Sequence, residues 1–523
     1  MRIGVDVGGT NTDAVVVDGD ALVAAEKRPT SDDIAEGVIE AVRAVLASAG
    51  VAPEAIDAVM LGTTQFTNAV VRRRDLAHIG ALRVGAQSSR ALPIGAKWPK
   101  DLASVVIAAA EQVDGGAEFD GAPIVSFDAE AARAAIDAFQ SKGAEALAIT
   151  SLFSPVNADH EIAARNIAAA TFKEDRIALS NAVGGLGLYQ RENATLLNAA
   201  LLPFADRVVD AFAAAFSTLD IACPFFISQN DGTLMTAAFA KAYPVLTFSS
   251  GPTNSMRGAA FLTGARNAMV VDIGGTTSDI GMLIDGYPRP SGVAVEIGGV
   301  LTNFRMPDVL AVGLGGGSIV ADDGRSIGPD SVGAALRTRG LVFGGDILTA
   351  SDAAIAAGRS DFGDVSAARA LDPALVNAAD SEMRRMLGDG IDRMKTSADA
   401  LPLIVVGGGA FLAPDDLPGV SHTLRPENAG VANAIGAAFA QIGAEAEIVY
   451  VRAQRDRNDA LAEAKAQAIA RAVDAGADPE KTDIAHIEET PMSYLAEGGS
   501  VIKARAVGDV DLTRLNARGK DAS

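Results

Sequence analysis

Val5-Asp6-Val7-Gly8-Gly9-Thr10-Asn11-Thr12-Asp13 recurs in the second half of the chain as Val271-Asp272-Ile273-Gly274-Gly275-Thr276-Thr277-Ser278-Asp279. Each copy ends an apolar run on an aspartate, turns on two glycines and enters a second apolar run that stops at an Asp-Gly turn, Asp18-Gly19 and Asp285-Gly286. The pattern predicts two hairpins, the first made of strands over Arg2–Val7 and Ala14–Val17. Glycines lack a Cβ, so they admit positive φ and let backbone N–H groups come close to an anion. The hydroxyls of Thr10, Thr12, Thr276 and Ser278 can donate to phosphate oxygens. A carboxylate at the end of the first strand cannot face phosphate bare. Asp6 and Asp272 therefore suit ligands of Mg²⁺, directly or through water, or groups that orient an attacking nucleophile. Two such hairpins facing each other would grip a polyphosphate from both sides. One copy alone reads as a plain turn; turn chemistry does not demand the flanking aspartate and hydroxyls twice. The copies lie too far apart for a solenoid repeat and point to two related domains. Gly-x-x-x-x-Gly-Lys-[Ser/Thr] is absent, so this is not a Walker A loop.

Outward from the hairpins, Gly407-Gly408-Gly409 follows the predicted strand Leu403–Val406 and could form a shelf for an adenine or ribose ring. Gly313–Gly317 reads either as an anion-facing loop or as a flexible connector. Short apolar runs alternate with Ala-rich helical stretches along the chain, which is the pattern of an α/β protein. Helices are expected over Asp32–Ala49, Asp159–Ala170, 251–264 and Asn428–Ile442. Strands are expected over Ile56–Leu61 and Ala146–Thr150. Tyr189–Ala215 reads as one long helix, bent at Pro203. From Ala444 the character changes: a charged amphipathic helix over Arg455–Ala475 precedes strands near Ile484–Ile487 and Val501–Val507, with Arg518 to Ser523 frayed. The expected units are 1–180 with the first hairpin, 181–443 with the second hairpin and the triple glycine, and a small α+β segment at 444–523.

The chain has 523 residues, enough for at least two cores. Lys and Arg number 44 against 66 Asp and Glu, a formal charge of -22 that argues against nucleic acid and anionic membranes as partners. A nucleotide held through Mg²⁺ and backbone amides remains compatible. The single cysteine, Cys223, rules out an intrachain disulfide and a Cys-ligated cluster and fits a reducing cytosol. No apolar run approaches the ~18 residues of a membrane helix. The chain enters Ile3-Gly4-Val5-Asp6 with no secretory signal, so a cytoplasmic location is expected. His78, His160, His422 and His486 are scattered without ligand spacing.

The twin hairpins resemble the phosphate motifs of the actin/hexokinase/Hsp70 superfamily. Further stretches narrow the resemblance to the hydantoinase/oxoprolinase A subunits. They are Gly62-Thr63-Thr64-Gln65-Phe66-Thr67-Asn68-Ala69, then Tyr189 through Ala199, then Ser228-Gln229-Asn230-Asp231-Gly232-Thr233-Leu234-Met235. Ser249-Ser250-Gly251-Pro252, the second hairpin and Gly313 through Ser318 follow in the family's order. The resemblance covers roughly residues 1–440. It implies two actin/ribonuclease-H-like lobes around a nucleotide cleft, with ATP and Mg²⁺ as cofactors. It also implies an ATP-dependent hydrolase acting on a cyclic amide such as a hydantoin, a lactam or a 5-oxoproline-like ring, often as an oligomer with a separate B-type subunit. A small-molecule kinase and a nucleotide-gated regulatory partner protein are the alternatives.

On the same resemblance, Asp6 and Asp272 would serve Mg²⁺ and in-line geometry. Gly8, Gly9, Thr10, Thr12, Gly274, Gly275, Thr276 and Thr277 would bind phosphate, and Gly407, Gly408 and Gly409 the nucleoside. Asp13 and Asp279 would orient the hairpins. The substrate side falls to Thr63, Thr64, Asn230 and Asp231, and to Glu192, which either lines the cleft or makes a structural tie. The chain departs from the family where relatives commonly carry histidine, at Leu61 and Leu310, which removes two imidazoles able to bind metal or move protons.

Overall fold

The computed structural model describes residues 1–31, 33–292, 294–304, 306–452, 455–492 and 498–511. The expectation for Arg518 to Ser523 lies outside them. β1 (Arg2–Val7) pairs antiparallel with β2 (Asn11–Asp18), which pairs with β3 (Ala21–Pro29). Ile3, Val5, Val7 and the run Val15, Val16, Val17 are all buried, as in strands covered on both faces. α1 (Ile34–Ala49) starts on Asp33, whose side chain accepts from the Ala35 and Glu36 N–H groups, and stops on Gly50 in the left-handed region. β4 (Ala58–Thr63) returns parallel beside β1 and leads into α2 (Gln65–Arg72).

A small all-parallel sheet follows, built from β5 (Ile79–Val84), β6 (Ile107–Val113), β7 (Ala146–Ser151) and β8 (Ile177–Leu179). The long helix α3 (Leu188–Thr218) runs through Pro203 without ending there. β9 (Phe225–Ser228) pairs parallel with β4, and β10 (Leu234–Thr236) pairs antiparallel with β9. α4 (Ser250–Thr263) then carries the chain to the second hairpin, β11 (Ala268–Ile273) and β12 (Ser278–Ile284). β13 (Leu401–Val406) lies parallel to β11 and β14 (Val420–Leu424) parallel to β13. α5 (Ala432–Ala438) is shorter than the expected 428–442: Asn428 is left-handed, a 3-10 turn precedes the helix, and Ile442 already opens the next strand.

The two hairpin sheets share one connectivity. β3-β2-β1-β4-β9 matches the second sheet, where the strands run β12-β11-β13-β14 and short strands extend β12 outward. In both, an antiparallel hairpin is flanked on its first strand by two parallel strands, so the sequence echo reports a duplicated actin-like lobe. The lobes are joined by α4 and α5, which cross in close contact. A Cβ on Gly258 would come within 3.0 Å of the Ala432 carbonyl, and one on Gly436 equally close to that of Asn254.

The sheets group the chain differently from the expected division. β9 and β10 belong to the first sheet and α3 packs into the first core, although both lie after residue 180. The C-terminal segment is no separate unit either. β15 (Ile442–Val451) pairs with β10 and with β17 (Gly499–Val510), and β16 (Ala477–Pro491) pairs with β17, so the first sheet reaches nine strands. α6 (Arg457–Asp474) lies on these strands through Ala460, Ala464, Ala468 and Ala472, a methyl stripe at i, i+4 that permits close approach. An arm between Arg289 and Asp308 leaves the second lobe and buries Ile297, Val300, Phe304 and Met306 in the first core. Its base is closed by the Arg289–Asp308 ion pair at 2.6 Å. Among the described residues no helix is long and apolar enough to cross a membrane.

Candidate functional site

The two hairpins converge. A Cβ built on Gly275 would lie 3.9 Å from the Thr10 hydroxyl, so the tip of one turn stands against the tip of the other. Each turn is closed by its first glycine: Gly8 N–H donates to the Asn11 carbonyl at 3.1 Å and Gly274 N–H to that of Thr277 at 2.9 Å. Among the described residues, the N–H groups of Gly9, Thr10, Gly275 and Thr276 have no internal acceptor. Two turns therefore present free backbone donors to one gap, which is the chemistry of a polyphosphate cradle.

Behind each tip sits its aspartate, and pleating puts Asp6 opposite Asp13 and Asp272 opposite Asp279. Room for each carboxylate comes from a glycine on the adjoining parallel strand or immediately after it. A Cβ on Gly62 would fall inside 3.0 Å of Asp6 Oδ1, and one on Gly407, whose φ is +88°, inside 3.0 Å of Asp272 Oδ1. Gly62 and Gly407 are thus equivalent features of the two lobes.

Burial pushes the Asp6 carboxyl up to about 7, with the charge of Asp13 adding to the rise and the Asn433 hydrogen bond and Lys27 opposing it. Asp279 is likewise raised to about 7 by burial and by Asp272. Burial raises Asp13 against the pull of Lys27, and raises Asp272 against the Ser255 hydrogen bond. Asp6 Oδ1 is buried with no donor. Among the described residues no three acidic, histidine or cysteine side chains converge to hold a metal by themselves. The orphaned Asp6 oxygen fits one contact to a hard cation that would draw most of its ligands from phosphate and water. Asp6 Oδ2 accepts from Asn433 Nδ2 at 3.2 Å, and the Ser255 hydroxyl touches both Asn433 Oδ1 and Asp272 Oδ2.

Other predicted residues divide. Thr10 is half-buried and Thr276 and Thr277 are exposed at the tips. Thr12 and Ser278 are not free to donate into the gap: both are fully buried, Thr12 beside the Thr30 hydroxyl at 3.2 Å and Ser278 donating to Leu314 O at 2.5 Å. Asp13 is held by Lys27 at 2.5 and 2.7 Å. Gly313–Gly317 buttresses the second turn, with Gly316 and Gly317 N–H donating to Gly274 O and Gly275 O. Gly407 and Gly409 back the second hairpin, Gly409 N–H donating to Ile273 O at 2.7 Å, while Gly408 faces open space.

On the substrate side, Thr64 lies at the base of the first hairpin, its hydroxyl 3.4 Å from Val7 O, but Thr63 is buried and receives the Gln65 N–H. Asn230 is tied to α4 through Thr253, which donates to its carbonyl at 2.9 Å. Asp231 caps Thr233 and pairs with Arg505 of β17 at 2.7 Å. Glu192 does not line the cleft: it is buried and clamped by Arg83, with Arg83 Nε to Glu192 Oε1 at 2.7 Å. A desolvated carboxylate takes the nearest guanidinium, and here that is on β5. Leu61 is core in the first lobe and Leu310 packs against the core of the second. Lys27, Ser255 and Asn433 were missed by sequence reasoning. Ser255 and Asn433 sit on predicted helices, where a lone polar side chain carries no motif.

Residues 2–172 match the hydantoinase/oxoprolinase N-terminal region and residues 191–370 match hydantoinase/oxoprolinase, together about two thirds of the chain. The acetophenone carboxylase gamma subunit of Aromatoleum aromaticum is 26% identical over 395 residues, which are 68% of this chain and 53% of that protein. The caprolactamase subunit alpha of Pseudomonas jessenii is 27% identical over 420 residues, 75% of this chain and 60% of that one. The chain thus spans little more than half the length of these relatives. The crystal structure of the ATP-dependent caprolactamase from Pseudomonas jessenii superposes with a TM-score of 0.76 at 20% identity, covering 97% of this chain and 87% of that one.

Proposed function

The chain belongs to the hydantoinase/oxoprolinase family, and from that premise we propose that it holds ATP between its two hairpins and uses it to activate the carbonyl of a cyclic amide for hydrolysis. The observation that carries this reading is the convergence of two Asp-x-Gly-Gly-Thr turns, Thr10 against Gly275, one backed by the buried Asp6 and the other by the half-buried Asp272. The free N–H groups of Gly9, Thr10, Gly275 and Thr276 bind the phosphate oxygens, and the exposed hydroxyls of Thr276 and Thr277 add donors. Asp6 and Asp272 would hold Mg²⁺, which when bound neutralises charge on the transferring phosphoryl group.

The amide oxygen bonds to the γ-phosphorus as the bridge to the β-phosphate breaks and ADP departs. The O-phosphorylated carbon is then open to water. Little covalent help is needed from the protein, since positioning and charge dominate such transfers. Because the curated relatives are named as subunits, a second chain is proposed to complete the hydrolytic half of the reaction.

The test is ATP turnover with lactams, hydantoins and 5-oxoproline, alone and with a candidate second subunit. Phosphate release coupled to ring opening supports the reading. A stable phosphorylated product, or tight nucleotide binding with no turnover under any of these conditions, would sink it.

A further inference from the structure

We propose that Ser255 and Asn433 are positioning residues, a bridge of two short side chains that sets Asp6 and Asp272 at the separation a metal-bound nucleotide needs. The inference rests on the nucleotide reading above. The aspartates belong to different lobes, at the ends of β1 and β11. Asn433 on α5 donates to Asp6 Oδ2 at 3.2 Å, its own Oδ1 meets the Ser255 hydroxyl on α4, and that hydroxyl meets Asp272 Oδ2. The link runs carboxylate, carboxamide, hydroxyl, carboxylate, across the two helices that connect the lobes.

Backbone packing keeps the bridge short. A Cβ at Gly258 or Gly436 would come inside 3.0 Å of a carbonyl on the opposite helix, and one at Gly4 of β1 would do the same to Ala434 of α5. Nothing larger than hydrogen fits at these contacts, so Ser255 and Asn433 separate only if α4 and α5 do. Asn433 and Ser255 are then the side chains through which the helix crossing reaches both carboxylates. A hydroxyl has a single hydrogen, and that of Ser255 lies between two acceptors, Asp272 Oδ2 and Asn433 Oδ1. Loss of either partner therefore re-aims it, and the two residues act as one unit.

Ordinary polar packing at a helix crossing makes a different prediction, and calorimetric titration separates the two. Ser255→Ala, Asn433→Ala, their double variant and Ser255→Thr, which keeps the hydroxyl, are titrated with ATP plus Mg²⁺ and with ATP in chelator, and each fold is checked by thermal unfolding. The bridge predicts about tenfold weaker binding of the magnesium complex in each alanine variant, within the range for groups that orient metal ligands. It also predicts metal-free ATP affinity unchanged, a double variant no worse than the worse single, and Ser255→Thr near wild type. Equal losses with and without metal, additive losses in the double variant, or unchanged binding in all variants would overturn it. Should one alanine variant fail to fold, the other carries the same comparison. A wild-type protein that binds ATP in neither form would remove the nucleotide reading and the bridge with it. Unaltered variants beside a wild type that binds remove the bridge alone.

Discussion

Gly62→Ala adds one methyl group at the point where the first lobe makes room for its aspartate. That carbon would lie 2.9 Å from Asn254 Nδ2 and closer still to Asp6 Oδ1, inside the 3.0 Å that real Cβ atoms keep. Relief requires the Asp6 carboxylate to retreat by about 1 Å, the gap between this overlap and a normal contact. The backbone has little room to yield, because Gly62 pairs in register opposite Asp6 on β1 and the preceding Leu61 pairs with Ile227 of β9. Overpacking of this kind costs about 1–3 kcal/mol of stability. A misplacement of about 1 Å in a group that positions a reaction costs about 100-fold in rate. Steady-state ATP turnover and thermal unfolding measured together give both numbers. In an Asp6→Asn background the alanine should lower the rate no further, because the residue it displaces is already disabled. A Gly62→Ala protein that turns over ATP within twofold of wild type would refute the placement of Asp6 at the reacting phosphate.

Asp6→Asn and Asp272→Asn should each depress ATP turnover by about two orders of magnitude or more while the protein stays folded, as seen by circular dichroism. Asp6 also predicts a pH dependence: its folded pKa of about 7 stands above the ordinary 3.8, so the folded state binds more protons in that window. Stability of the ligand-free protein therefore falls as pH rises between those values. Asp6→Asn should be more stable than wild type above pH 7, by on the order of a few kcal/mol, and equal to it near pH 4. Glu192→Gln should cost about 3–5 kcal/mol in denaturant unfolding by stranding Arg83 in the core, and should leave ATP affinity untouched. Arg505→Ala should speed amide exchange over residues 229–233 by about tenfold, since β17 holds that loop through Asp231.

What could be read from the sequence was what local chemistry specifies. The hairpins were legible because glycine turns and terminal aspartates are fixed by neighbours in the chain, and their repetition made the pattern hard to produce otherwise. Helix α1 was expected over Asp32–Ala49 and lies over Ile34–Ala49, with Asp33 and Gly50 as local caps that the structure adds. Non-local choices were not legible. Nothing in Arg83 or Glu192 says that they will meet across 109 positions of chain, nor that β17 rather than a separate sheet will receive β15 and β16. Thr12 and Ser278 show the limit within the motif itself: both sit on strands, not in the turns, and each side chain faces the protein interior. The bridge of Ser255 and Asn433 depends on two helices crossing at glycines, and a glycine in a helical stretch advertises no partner.

The arm between Arg289 and Asp308 makes the molecule a jaw that is pinned at both corners. Opposing halves of a clamp hinged only at α4 and α5 could gape freely. Here a wide gape would drag Ile297, Val300, Phe304 and Met306 out of oil and into water, at about 1.5–3 kcal/mol for each side chain. Swinging apart is therefore the expensive motion and sliding or twisting the cheap one. Under the ATP reading proposed above, spent nucleotide would leave sideways, through whatever slit a twist opens, while the two halves stay stapled together.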